Sequence, residues 1–521
     1  MAGAVLAGGL VLAGCSAADP ATTETGATSD ATITAALSGD PTTLDSGISS
    51  NALTIYVAQN IFEQLFALDA DFVVRPMLAD SYELSEDLLT YTITLRSGVT
   101  FQDGQPMTSA DVQASIERWF EVSSNGITTK ANVESIETPD DSTIVFNLNK
   151  PTYSFLGQLA QQVQAAIILP ASIIEEAGTE PLTTEQTIGT GPYQLGTYTP
   201  GQNIVLEKFE DYSSRTEEWG GFAGAKHAYA NSIDYKFVPD ASQRLSGLQT
   251  GQWAWVDALG ADDATAAREN PDFTTKKAAT GLVSTLLLNH NSASVFADQD
   301  ARLALNLLVD KESIAAATLG AEDNWAPLTP AMVISDNKAM FSSVGEDVFN
   351  SYDPDEAKEL FEDAGVDAST PIRILTTQTY PSMYGESVIL QQEFEEIGLT
   401  AELEVYDFPT MIEKLSTEPT SWDISMTFFD GGVTAPSQVL WLGPSWPGEY
   451  SDPEMTELVA SFEESTTPGE ALAVVDEIQE KIYETMPVVQ MGAVQGTGVY
   501  SAKLDLPGNF LTVLWNASYS G

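Results

Sequence analysis

The chain has 521 residues, 43% of them hydrophobic, with 75 Asp and Glu against 21 Lys and Arg and a net charge of −54 at pH 7. That is apolar material for roughly two to four domains' worth of core, under a surface that repels nucleic-acid phosphates and anionic lipid, so nucleic acid is excluded as a partner. One Cys rules out an intrachain disulfide, and one Cys with two His argues against haem, iron–sulfur clusters and structural zinc.

In chain order, residues 2–14 carry no charge and end at Leu12-Ala13-Gly14-Cys15. A short apolar run closed by two small residues and a Cys resembles the lipobox of bacterial lipoproteins. The resemblance implies that 1–15 is a signal peptide and that Cys15 is lipidated at the mature N-terminus. It also implies an extracytoplasmic protein, anchored to the outer face of the cell membrane by that lipid alone. The alternative for Cys15 is a small buried thiol. No Lys or Arg precedes Cys15, so the basic region of such a signal is expected upstream, at an earlier start codon. The run is too short to span a bilayer, which takes about 20 residues, and the remainder is expected to be soluble. Residues 16–30 are Ala, Thr and acids without bulky apolar groups, which predicts a disordered tether.

Strands and helices then interleave. Thr90–Arg96 alternates Tyr91, Ile93 and Leu95 with polar residues, and Thr143–Asn149 does the same with Ile144, Phe146 and Leu148; both predict half-buried strands. Thr108-Ser109-Ala110-Asp111 is a capping box before a helix whose apolar face holds Val112, Ile116, Trp119 and Phe120. Asp353-Pro354 starts another helix, ended by Gly365. Helix Ser382–Ile397 stops at Gly398 and strand Thr400–Val405 follows, the order of an α/β unit with a crossover connection.

Pro76–Tyr82 leads into Tyr91–Arg96, then Val99-Thr100-Phe101-Gln102-Asp103-Gly104 and Ser109-Ala110-Asp111-Val112. These blocks resemble the signature of the family 5 extracellular solute-binding proteins that serve peptide and nickel ABC importers. Pro41–Asp45 resembles the family's opening turn, Gly189-Thr190-Gly191-Pro192-Tyr193 its GTGPY turn, and Gly247–Gly251 one of its helix ends. Ala301–Leu305 with Val309-Asp310-Lys311, and Tyr352–Gly365, complete the match over 33–521. Arg302 and Asp310 are expected to cap or pair within the second lobe.

The resemblance implies an α/β, two-lobed periplasmic-binding-protein-like fold (type II, cluster C) with an extra domain and a two-strand hinge. Domain I would comprise 31–50, 186–285 and 490–521, domain II 51–185, and domain III 286–489. The crossings between lobes are expected at Ser284–Asn289 and Pro487–Met491. The implied activity is capture of a ligand between the lobes and delivery to an ABC permease and its ATPase, by a monomer, without a cofactor and without catalysis.

In peptide-binding relatives a Trp and an Asp follow a lobe-two strand, and the Asp pairs with the ligand's amino group. Here those positions fall on Phe429 and Gly432, with Asp430 two residues earlier; Asp430 is either a displaced amine anchor or a solvated loop residue. Met426 stands where some relatives carry a base. Ser437 occupies the position of the nickel relatives' His, which disfavours nickel; His227 and His290 read as surface or packed residues. The neutral, aromatic segment Trp441–Trp446, with Trp325 and Phe429, offers stacking faces, the alternative for Trp441 and Trp446 being packing. Leu44, Asp45, Asn289 and Tyr380 complete the candidate site, with Tyr384 weaker. The ligand reads as a short peptide, with an oligosaccharide as the alternative in the same family. An extracellular hydrolase is a third reading, opposed by the lack of a G-x-S-x-G or H-E-x-x-H motif.

Overall fold

The structure is a computed structural model that describes residues 31–521 apart from 260, 278–281, 320–324, 327–331, 334, 431–433, 495–496, 509–511 and 521. Cys15, the segments 1–15 and 16–30, and Gly432 therefore lie outside the described residues, and Trp325 and Asp430 are described by their backbone only.

The local signals translate directly into elements. Thr90–Leu95 and Thr143–Leu148 pair antiparallel with Tyr91 opposite Phe146 and Ile93 opposite Ile144, so the alternating apolar residues share one buried face. They are the central strands of a four-stranded sheet flanked by Ala79–Leu84 and Val133–Asp140. Helix Ser109–Val122 covers this sheet with Val112, Ile116, Trp119 and Phe120 buried. Its start is fixed by Asp111, whose carboxylate accepts from the Thr108 N–H at 2.9 Å and hydroxyl at 2.7 Å.

A seven-stranded sheet lies beside it, in the order Phe273–Lys277, Thr497–Ser501, Trp255–Val256, Thr32–Leu37, Ser232–Phe237, Asn203–Lys208, Tyr193–Thr199. One continuous apolar core runs under both sheets and makes them a single lobe. The GTGPY turn joins them by close approach: a Cβ on Gly189 would sit 2.1 Å from the Ile61 carbonyl oxygen, and one on Gly191 2.6 Å from that of Asn60. Thr190 of the same turn donates to Glu63 at 3.1 Å; Glu63 also pairs with buried Lys226 at 3.2 Å.

The second lobe is built on a six-stranded sheet in the order Trp325–Ala326, Val488–Val494, Leu282–Leu288, Ile424–Asp430, Ile372–Thr377, Ala401–Tyr406. It has its own core. Ile372–Thr377 and Ala401–Tyr406 run parallel with helix Pro381–Glu396 between them, the expected crossover unit. Asp353 caps helix Pro354–Asp363 through the Glu356 N–H at 3.0 Å, and Gly365 and Gly398 both adopt left-handed φ after their helices. Buried Arg302 donates to the carbonyls of Thr485, Phe296 and Ala297, and Asp310 accepts from the Ser313 N–H and hydroxyl.

The crossings differ from the expectation. Ser284–Asn289 and Pro487–Met491 lie within or at the ends of two strands that pair inside the second sheet. Leu282–Leu288 has partners on both sides and six of its seven residues buried, so it is a central strand, with Ser284 and Thr285 buried among five apolar residues. The first sheet ends with Lys277 opposite Thr497, and the second begins with Leu282 opposite Val494. The chain thus passes between the lobes between 277 and 282 and between 494 and 497, on two neighbouring connections.

Leu282–Leu288 is tied to the crossover helix by a buried carboxyl. Both oxygens of Glu386 accept from the Ser284 hydroxyl, at 3.1 and 3.0 Å, and burial pushes this carboxyl up to about 7, against the effect of that hydrogen bond. An unfolded Glu ionises near 4.5. Between those pH values the folded chain holds one proton more than the unfolded chain, so this group's contribution falls as pH rises through the window and is constant above it. Glu386→Gln should therefore gain stability relative to wild type between pH 4.5 and 7, by about 3 kcal/mol at most. Denaturant unfolding of both proteins across that range checks this; a pH-independent difference contradicts it.

Candidate ligand-binding region between the lobes

On lobe one the opening turn is set from within. Asp45 is fully buried: its Oδ2 lies 2.7 Å from Arg118 Nη2, and its two oxygens also accept from the N–H groups of Gly47 and Leu182. Arg118 also donates through Nε to the Gly178 carbonyl and through Nη2 to the Glu180 carbonyl. A carboxylate so buried and bonded holds the turn; removing either partner of such a buried pair costs about 3–5 kcal/mol. Leu44 is a core residue of the same lobe. Both positions expected at the ligand are thus buried within lobe one.

Next to the turn runs the amide-rich stretch Gln161-Gln162-Val163-Gln164. Gln64 donates to the Leu159 and Gln161 carbonyls and accepts from Gln162 at 2.9 Å, and Gln164 donates to the Ile48 carbonyl at 3.0 Å. This clamps the stretch against the opening turn and leaves Val163 exposed.

On lobe two, Asn289 is buried and donates to the carbonyls of Pro419 and Trp422, which fixes the loop before the strand Ile424–Asp430. Asp423 at the start of that strand pairs with Arg373 at 2.8 Å. Trp441 is 3% exposed and belongs to the lobe-two core, so packing accounts for it. Asn289 and Trp441, like Leu44 and Asp45, are thus internal. Phe429 and Trp446 are half-buried and meet edge to face at 6.0 Å. The indole N–H of Trp446 is buried and has no hydrogen-bond acceptor among the described residues, so it can donate to a ligand carbonyl. Tyr380 is exposed and packs edge to face on Phe408 at 5.0 Å, apart from this pair. Trp325 pairs through its backbone with Val494, and Asp430 with Leu282 beside the crossing.

The two lobes touch along a polar seam. Gln161 Nε2 donates to Thr434 Oγ1 at 2.9 Å, and Gly157 lies so close to Thr434 that a Cβ there would be 2.8 Å from the same oxygen. Ser154 donates to Glu463 through its N–H at 3.0 Å and its hydroxyl at 2.8 Å; the Tyr153 N–H donates to the Glu463 carbonyl, and Tyr153 packs on Phe462. Lys338 of lobe two pairs with Asp71 of lobe one. Sequence reasoning named none of these residues; only the run of glutamines in an otherwise apolar loop signalled them.

The two His are accounted for by packing. His290 lies 2.9 Å from the Pro487 carbonyl oxygen, and burial, then Arg302, lowers it to about 4, so it is neutral at pH 7. His227 lies at the surface, 3.1 Å from Glu218 and stacked on Tyr229. Among the described residues no group of three or more His, Cys, Asp or Glu is placed to hold a metal ion, and no helix is long and apolar enough to cross a membrane.

Comparison with known proteins agrees with this architecture. A probable peptide ABC transporter periplasmic-binding protein of Sinorhizobium fredii is 28% identical over 528 residues, covering 95% of this chain and 94% of that protein. The ABC transporter substrate-binding protein CtaP of Listeria monocytogenes superposes with a TM-score of 0.80 at 20% identity, covering 95% of this chain and 100% of that one. The oligopeptide-binding protein AppA of Bacillus subtilis, solved with a nonapeptide, gives 0.73 at 18% identity, with 95% and 100% covered. The model of the bacterial extracellular solute-binding proteins, family 5, matches residues 73–448. With that match over most of its length, on two lobes joined by two connections, the chain belongs to the family 5 extracellular solute-binding proteins.

Proposed function

We propose that this protein captures a short peptide between its lobes and hands it to an ABC permease and its ATPase. The observation that carries the reading is the seam: two separately packed lobes, joined by two adjacent connections, meet through a few neutral or compensated contacts that a ligand can tip. Full-length similarity to a peptide transporter's binding protein supports the ligand class. The buried indole donor of Trp446 beside Phe429 suits a peptide carbonyl. The same aromatic pair suits a sugar face, which keeps an oligosaccharide as the second reading. We keep the expected division into domain I (31–50, 186–285 and 490–521), domain II (51–185) and domain III (286–489) with its two boundaries at the crossings moved to 277–282 and 494–497, and assign Cys15 to a lipid anchor that keeps a monomeric receptor at the outer face of the membrane. The reading contains no catalytic step. Asp430, at the end of the lobe-two strand, is assigned the ligand's amino group.

Three outcomes follow. In a thermal-shift screen of di- to pentapeptides, maltooligosaccharides and a nickel–histidine complex, a cognate peptide at a hundredfold excess over Kd should stabilise the protein by about 2.7 kcal/mol, read as a higher Tm; a shift with sugars alone would replace the peptide by the second reading. Asp430→Asn should weaken an amine-bearing peptide by about 2–3 kcal/mol in calorimetry, and unchanged affinity returns Asp430 to a solvated loop. Gly157→Ala should lower affinity by obstructing closure, and adding Thr434→Ala should restore it, since the obstructing atom is Thr434 Oγ1; equal affinity of all three proteins would mean that the seam does not form in the liganded state.

A further inference from the structure

All 21 Lys and Arg lie among the described residues, so each cation a ligand could meet has a known place. Seven of them fall between 282 and 494, in lobe two. Arg302 is buried on three carbonyls, Arg373 pairs with Asp423, and Lys311 lies against the Phe349 ring and donates to the Asn306 carbonyl at 3.2 Å. Lys414 pairs with Glu418, and Lys481 with Glu454 and Glu484. Lys358 has Asp355 and Glu362 one helical turn to either side. Lys338, at the seam, is held above the ordinary lysine range by the Asp71 carboxylate it donates to, with Asp336 and Asp69 adding to the effect. At the crossings Arg268 donates to Thr497 and Lys277 is engaged as well. On the lobe-one side of the seam Arg75 pairs with Asp69, while Lys150, exposed four residues before Ser154, lacks a partner among the described residues.

The acids are in large excess, 75 against those 21, for a net charge of −54. A surface so charged sets up a potential that draws cations in and keeps anions out. Within it, Phe429 and Trp446 form a half-buried corner, the rings 6.0 Å apart at 65°, and Asp430 follows Phe429 in the strand. Ring faces attract a cation, the more so once its water is shed. The chain uses this contact inside lobe one, where Lys226 Nζ stands 4.5 Å from the centre of the Trp515 ring. A carboxylate entering the same corner gives up its hydration and meets no uncommitted base of lobe two.

We propose that the receptor selects cationic ligands, seating a ligand ammonium or guanidinium group on the Phe429–Trp446 corner. The class is peptides that carry Lys or Arg side chains or a blocked carboxyl terminus; acidic peptides are rejected. The Trp446 N–H, on the ring edge, stays available to a ligand carbonyl. Such selectivity presupposes the peptide-receptor function proposed for the chain.

Calorimetry of the full chain with Lys-Ala-Lys, trialanine amide, trialanine and Glu-Ala-Glu tests it. Lys-Ala-Lys should bind at least tenfold tighter than trialanine, trialanine amide tighter than the free acid, and Glu-Ala-Glu weakest of the four. Raising the salt from about 0.01 M to about 1 M shortens the screening length from about 30 Å to about 3 Å and should narrow this spread. Phe429→Leu, which keeps an apolar side chain but removes the ring, should reduce the Lys-Ala-Lys advantage over trialanine at least threefold. Trp446→Leu should do the same where the first variant does not fold. Lys150→Ala should leave trialanine affinity unchanged. The selectivity is refuted, and the peptide receptor left standing, by Glu-Ala-Glu or trialanine binding as tightly as Lys-Ala-Lys, by an advantage undiminished in a folded ring variant or in high salt, or by trialanine binding that weakens in Lys150→Ala. Silence from all four peptides, with a cognate peptide found in the thermal screen, refutes the selectivity alone; silence there too refutes the peptide receptor as well.

Discussion

Closing two lobes of one strongly acidic chain brings like charges together, and the seam is built around that constraint. With 75 acids and 21 bases, few cations are available to bridge the lobes. Among the described residues hydroxyls and amides do most of it instead: Ser154 donates twice to Glu463, Gln161 donates to Thr434, and one ion pair, Lys338 with Asp71, joins opposite charges across the seam. A neutral hydrogen bond such as Gln161 to Thr434 contributes about 0.5–1.5 kcal/mol net, each of the two from Ser154 to the Glu463 carboxylate about 1.5–3 kcal/mol, and an exposed ion pair about 0–1 kcal/mol. These contacts together are therefore worth less than about 10 kcal/mol. Lobes held that weakly are in the range where a ligand's preference for one arrangement decides which is populated.

The platforms on either side are held far more firmly, and this is where the scarce bases go. Arg118 and Lys226 neutralise buried Asp45 and Glu63 in lobe one, while Arg302 and Arg373 fasten lobe-two loops through carbonyls and Asp423. Breaking such pairs leaves an uncompensated buried charge. The contrast between rigid lobes and a thin polar seam is what lets closure be a rigid-body motion about the two connections.

Elements governed by neighbours in sequence were legible in the chain. The Thr108–Asp111 cap, the Asp353 cap and the stops at Gly365 and Gly398 read correctly because each rests on contacts a few residues apart, and the alternation at Tyr91, Ile93 and Leu95 because one buried face imposes period two whatever the partner strand. The parts decided by distant contacts were not. Asp45 looks like an available carboxylate until Arg118, 73 residues on, is seen to hold it. The family resemblance puts a crossing at Ser284–Asn289, yet partners on both sides of Leu282–Leu288 make it a central strand. Trp441 cannot be sorted into cleft or core without the fold, and Thr434 gains its role only from Gly157 and Gln161 on the other lobe.

The central claim is that ligand capture and lobe closure are one equilibrium. Small-angle X-ray scattering of the full chain, with and without a saturating peptide chosen by the thermal screen, measures it most directly. The account predicts a smaller radius of gyration with peptide, reversed when the peptide is dialysed away. An unchanged radius in a sample whose peptide occupancy is confirmed by calorimetry would contradict it.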